Sequence, residues 1–183
     1  MSPSPAHAGV QASAGCWTPA VAGEGWFRVR MGNDMTIDRA MLQPAVALVV
    51  WTLAMLVWVL ATRLPAMKKA GVDLRTLVGT KGADADRVLP AKTQWIAHNY
   101  NHLLEQPVLF YVAVLVLALT GPNDLWVRAA AWAYVTLRIV HSVWQATVNH
   151  VGGRFVLFLL STLTLMALAG RAAWVVFPPM FAA

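Results

Sequence analysis

Charge is scarce in this sequence. Of its 183 residues, 14 are Lys or Arg and 8 are Asp or Glu, 12% together, against 58% hydrophobic residues, where a soluble domain carries about 25% charge. That deficit excludes an ordinary water-facing surface and points to lipid as the solvent. Cysteine is nearly absent as well: Cys16 stands alone, so neither an internal disulfide nor a thiolate metal cluster can form, and it reads as an inert thiol. Also missing are a Gly-rich phosphate loop, a nucleophile elbow and any internal repeat, which removes the fold classes built on them.

Long apolar runs are what the sequence does have. Crossing about 30 Å of hydrocarbon at about 1.5 Å per residue takes roughly 20 mostly apolar residues. Four stretches qualify, at about 42–64, 95–120, 125–150 and 155–177. Gly121, Pro122 and Asn123 close the second, Gly152 and Gly153 the third, and Pro178 with Pro179 the fourth, as turn formers do. Backbone amides in lipid must pair within their own segment, and uninterrupted apolar runs favour helices over a barrel. The expected fold is therefore an all-α integral membrane bundle of four transmembrane helices, with spans two, three and four running antiparallel to their neighbours.

The formal charge of +6 does not indicate nucleic acid, because the bases gather at membrane ends. Arg63, Lys68, Lys69, Arg75, Lys81, Arg87 and Lys92 lie in or beside the 65–94 loop, which the positive-inside rule places in the cytoplasm with both termini opposite. Such a loop suits contact with anionic lipid. Residues 1–36 are rich in Pro, Ala, Gly and Ser and bury too little to fold, so a disordered tail is expected ahead of a membrane domain over 37–183.

Polar residues inside a span are costly and mark a site by default. On a helical second span, His98, His102 and Glu105 stand at i, i+4 and i+7, with Asn101 beside them. The third span carries Arg138, His141, Ser142, Gln145 and Asn149 on one stripe. Counted from the cytoplasmic ends, Glu105 and Arg138 both lie about 18 Å deep, His102 matches His141 and His98 matches Gln145. An ion pair between Glu105 and Arg138 is expected, since pairing offsets the cost of each charge. Two chemistries compete for these stripes, and a network that only fixes helix register competes with both. His98, His102, Glu105 and His141 suit chelation of a transition metal, but no carboxylate supporting these ligands is evident and no metal is expected. The other is a site for an anionic, hydrogen-bonding ligand, with Arg138 and Arg154 as donors. Pro107 removes an amide and leaves the Leu103 carbonyl short of its partner.

The runs Asn99-Tyr100-Asn101-His102-Leu103-Leu104-Glu105-Gln106-Pro107-Val108-Leu109-Phe110-Tyr111 and Tyr134-Val135-Thr136-Leu137-Arg138-Ile139-Val140-His141-Ser142 resemble the membrane-associated proteins in eicosanoid and glutathione metabolism, MAPEG, and most of all its bacterial branch. The likeness covers about residues 41–177. It implies a homotrimer of four-helix subunits in the bacterial inner membrane, with sites between neighbours that bind glutathione as co-substrate near the cytoplasmic face. The family's transferases carry Arg, Asn and Glu on span two; here those positions are His98, His102 and Glu105. Arg138 and Arg154 are kept at the family's spacing, while Gln145 replaces a Tyr. The resemblance implies that Arg154 stabilises the glutathione thiolate, since a nearby cation favours the charged form. The expected function is a glutathione transferase or peroxidase acting on a lipophilic electrophile that enters from the lipid. A non-catalytic lipid-binding or scaffolding protein of the same fold is the alternative.

Overall fold

Apolar runs leave the backbone no hydrogen-bonding partner but itself, and the chain winds into helices. The computed structural model describes residues 28–31, 33–73, 75, 78–79, 81–121 and 123–177. Its helices are α1 (Arg39–Lys69), α2 (Ala91–Leu103), α3 (Pro107–Leu119), α4 (Leu125–Thr147) and α5 (Val151–Val176), with a short 3-10 helix at Gly82–Arg87 in the loop after α1. The end of the segment expected as a disordered tail, 28–31 and 33–36, falls among the described residues. Arg28–Met31 (β1) and Asn33–Thr36 (β2) pair as an antiparallel ribbon, Val29 opposite Met35. Backbone ladders need no hydrophobic periodicity, so composition did not signal this one. Residues 1–27 lie outside the described residues.

Among the described residues, three helical units are long and apolar enough to cross a membrane: α1, the α2–α3 pair over Ala91–Leu119, and α5. The outward faces of α1 and α5 are studded with exposed Val46, Val50, Leu53, Val57, Leu159, Leu163 and Met166, an inside-out arrangement suited to lipid or to a partner helix. Helix α4 is comparable in length, roughly 35 Å, but less apolar because its polar residues Arg138, His141, Ser142 and Gln145 are buried against its neighbours.

Two cores hold the bundle. One joins Met41 and Leu48 of α1, Phe110, Val114 and Leu117 of α3, Val127 and Tyr134 of α4, and Leu165 and Leu168 of α5. The other gathers Met55, Val59, Ile96, Ala97, Leu103 and Ala146. Between them the second span breaks, as Pro107 foreshadowed: Leu104, Glu105 and Gln106 form a turn, with the Leu104, Val108 and Leu109 amides bonding three residues back instead of four. Gln106 Nε2 donates to Thr162 Oγ1 at 2.8 Å and ties the break to α5.

The end of the bundle away from the 65–94 loop is knotted around Asp38, 1% exposed. Its carboxylate accepts from the Met41 amide, the Asn123 amide and side chain, and Nε and Nη2 of Arg128. One acid thereby caps α1 and fastens the α3–α4 turn to it. Burial alone would raise this carboxyl, but those donors outweigh it and hold it below the usual aspartate range.

At the opposite end α4 turns tightly into α5. Asn149 adopts φ 54°, and its amide and that of Val148 both reach the Trp144 carbonyl, a left-handed cap. Trp144 Nε1 donates to the His150 carbonyl at 3.2 Å, and its ring fills the space a side chain on Gly153 would need: a Cβ there would lie 2.7 Å from Trp144 Cε2. Gly153→Ala is therefore expected to lower stability in detergent by about 1–3 kcal/mol. Melting curves of Gly153→Ala, Trp144→Leu and the double variant check this, since a steric cause makes the Gly153→Ala penalty shrink in the Trp144→Leu background.

Candidate functional site

Helices α2 and α4 run antiparallel: Asn99 Nδ2 donates to Ser142 Oγ at 2.6 Å, and one turn further along α2, His102 meets Arg138 one turn earlier on α4. Between α4 and α5 the pair opens into a cleft of about 270 Å³ lined by His102, His141, Val151, Arg154, Phe155 and Phe158.

Arg138 lies behind the cleft and is 1% exposed. Its Nε donates to Tyr134 Oη at 3.3 Å, its Nη1 approaches His102 Nε2 at 3.5 Å, and its plane sits 5.8 and 5.9 Å from the Tyr134 and Phe158 rings. Tyr134 is braced in turn by stacking on Phe110, 4.3 Å between centroids. Nη2 of Arg138 has no partner among the described residues.

The expected Glu105–Arg138 ion pair is not formed. His102 stands between them, its Nδ1 3.0 Å from Glu105 Oε2 and its Nε2 facing the guanidinium. The cause is the break before Pro107, which removes Glu105 from the helical stripe and leaves its side chain 69% exposed. Both contacts demand the same tautomer: a carboxylate only accepts and a guanidinium only donates, so Nδ1 carries the hydrogen and Nε2 the lone pair. The His102 and His141 rings, expected at equal depth, do meet, with centroids 5.3 Å apart. His141 Nε2 donates to Gln145 Oε1 at 3.1 Å, and its Nδ1 has no partner among the described residues.

Arg154, in the first turn of α5, lines the mouth. Its Nη1 donates to Asn149 Oδ1 at 2.8 Å, and its Nε has no partner among the described residues. Asn149 thus ends α4 with its backbone and aims the arginine with its side chain. Two expected site residues stay outside: His98 and Asn101 are exposed, because the inward face of α2 runs through Gln94, Ala97, Asn99 and Leu103. Sequence reasoning missed Asn99, Tyr134 and Phe158. Asn99 and Leu103 share the i, i+4 spacing that His98 and His102 also show, so spacing alone did not choose between adjacent faces. Among the described residues no group of three or more His, Cys, Asp or Glu stands close enough to hold a metal ion.

A family model, MAPEG family, matches residues 41–174, which holds every residue of the cleft. The chain belongs to the MAPEG family. No curated protein and no solved structure matches it. With helices long and apolar enough to span, this MAPEG chain is an integral membrane protein of the glutathione and eicosanoid group.

Proposed function

We propose that this MAPEG protein is a glutathione-dependent transferase or peroxidase acting on lipophilic electrophiles. One observation carries the reading: Arg138 is a buried cation with no acid within ion-pair reach among the described residues, and an uncommitted Nη2 hydrogen-bond donor. A buried charge without a counter-ion is costly, and an anionic ligand relieves that cost. Glutathione offers two carboxylates and, once ionised, a thiolate. In this reading Arg138 holds a carboxylate, Arg154 at the mouth stabilises the thiolate, and Gln145 and His141 order the wall. Phe155 and Phe158 offer the apolar side on which an electrophile from the lipid would rest.

Helix α4 crosses the membrane with the other three in this proposal, its polar stripe shielded by α2 and α5. The 65–94 loop is cytoplasmic, in keeping with its bases. The chain acts as a homotrimer in the bacterial inner membrane, and the neighbouring subunit adds walls to a cleft whose volume falls just under the roughly 300–1,000 Å³ of complete ligand pockets.

Calorimetric titration of the purified protein with glutathione tests the reading, together with thiolate absorbance and conjugation of a model electrophile. Binding with thiolate formation is expected; a flat titration with no conjugation would leave the lipid-binding or scaffolding alternative. Arg154→Ala should abolish the thiolate signal and lower turnover by about 10²–10³-fold, as losing a donor to a developing anion does, with the size-exclusion profile unchanged.

A further inference from the structure

Arg154 brings its cation to the mouth of the cleft on a long, flexible side chain, and a hydrogen bond across the α4–α5 turn fixes where that chain ends. Its Nη1 donates to Asn149 Oδ1 at 2.8 Å and its Nε is enclosed without a partner among the described residues, which leaves Nη2 as the nitrogen to meet a ligand. The backbone on both sides of the bond is held. Asn149 has φ 54° with its amide on the Trp144 carbonyl, and the Arg154 amide bonds the His150 carbonyl at 3.2 Å. Gly153, next to Arg154, lies against the Trp144 ring. The turn sets where the arginine side chain starts, and Asn149 sets where it points.

The residue type at this turn argues for work by its side chain. A left-handed position ending a helix is filled at least cost by Gly, which has no Cβ to clash. Gly would form the same backbone bonds; what Asn adds is an amide oxygen, a neutral acceptor, and that oxygen sits on Arg154. A carboxylate in its place would hold the guanidinium as firmly but would set a negative charge beside it, and an anion at that distance opposes a second one. We propose that Asn149 is a positioning residue that holds Arg154 with Nη2 towards the sulfur of bound glutathione while leaving its charge intact, a proposal that deepens the glutathione reading above and rests on it.

The step it serves is simple. The thiol proton leaves to water at the open mouth, the sulfur keeps the electron pair, and the anion meets an N–H already in place, so no reorganisation is needed as charge develops. Other groups near Arg154 do not substitute for Asn149. His102 of α2 and His141 of α4 line the same cleft, Arg138 stands behind it, and His150 begins the turn of α5. Helix α3 brings only Tyr111 among ionisable groups, and it bonds Thr52 of α1 instead. No acid lies within ion-pair reach of Arg154 among the described residues.

The test separates the turn from the side chain. Purified full-length wild type, Asn149→Gly, Asn149→Ala and Asn149→Asp are compared by melting in detergent, calorimetric titration with glutathione, the pH midpoint of thiolate absorbance, and conjugation of benzylideneacetone. Gly keeps the left-handed turn and Ala strains it, so Asn149→Gly should melt close to wild type and Asn149→Ala lower. Both should bind glutathione within about twofold of wild type, since Arg138 takes the carboxylate, yet raise the thiolate midpoint by about one pH unit and lower kcat by about 10–10²-fold. Asn149→Asp keeps both the turn and the acceptor, and its charge against Arg154 should also raise the midpoint. A wild-type midpoint and kcat in Asn149→Gly, with only Asn149→Ala impaired, overturns the proposal, because activity would then follow the turn alone. If Asn149→Gly fails to fold, Asn149→Asp decides: an unchanged midpoint overturns it. Absence of glutathione binding in the wild type overturns the functional reading itself, and the role of Asn149 with it.

Discussion

Replacing Arg138 with Met should raise the melting temperature of the protein in detergent and remove glutathione binding together. The guanidinium is 1% exposed and has no acid partner among the described residues, so the folded state bears a desolvation cost of several kcal/mol that neighbouring groups only partly offset. What holds it is a 3.3 Å bond to Tyr134, a 3.5 Å approach to His102 and two aromatic faces. On ordinary scales a hydrogen bond to a charged group contributes about 1.5–3 kcal/mol and a desolvated cation–π contact about 2 kcal/mol, and these contacts are long ones. An apolar side chain of similar reach keeps the packing and drops the buried charge, so a net gain of about 1–2 kcal/mol is expected. Calorimetry on the same sample should show no heat with glutathione. A lower melting temperature with binding retained would make Arg138 a structural clamp and defeat the anion-site reading.

Asp38→Ala should have the opposite effect on stability. The carboxylate gathers donors from Met41, Asn123 and Arg128 while almost wholly buried, and losing one partner of a buried charged network costs about 3–5 kcal/mol. Thermal melts of the variant should drop accordingly, and Arg128→Met should recover part of the loss by removing the stranded cation. The same group predicts an acid dependence. Its folded pKa is lowered relative to the unfolded chain, so its contribution is present in full above about pH 4 and is lost as pH falls below that through the folded value. Wild-type melts should weaken in that range more steeply than those of Asp38→Ala; parallel curves would mean that the knot carries no linked proton.

The helical, membrane-suited character of the chain was legible because apolar length is a property of the chain itself, whereas among the described residues three helical units, not four, are long and apolar enough to cross a membrane. The break before Pro107 was equally legible, since a missing amide and a ring clash are local facts. Depth matching along two antiparallel stripes brought His102 to His141. It failed for Glu105 because the turn that Pro107 imposes also changes the direction of the side chains beside it, and the consequence of the break was not carried through to the stripe. Asn101 and His98 lie on the exposed face of α2: neighbouring faces of that helix both carry polar residues, and the packing of Ile96, Ala97 and Leu103 turns the other one inward. The Asp38 knot was hidden because its partners, Asn123 and Arg128, lie 85 and 90 residues away, and nothing in a charge ending a tail announces a buried cap.

The unwound turn at Leu104–Gln106 has a consequence for what surrounds the protein. Hydrocarbon tolerates neither an ionised carboxylate nor irregular backbone on its own, yet Glu105 turns outward at about the middle of the second span. The face beside it must therefore meet water or another polypeptide, which makes it a hydrated vestibule or a seam between subunits, and lipid tails can touch the molecule only elsewhere.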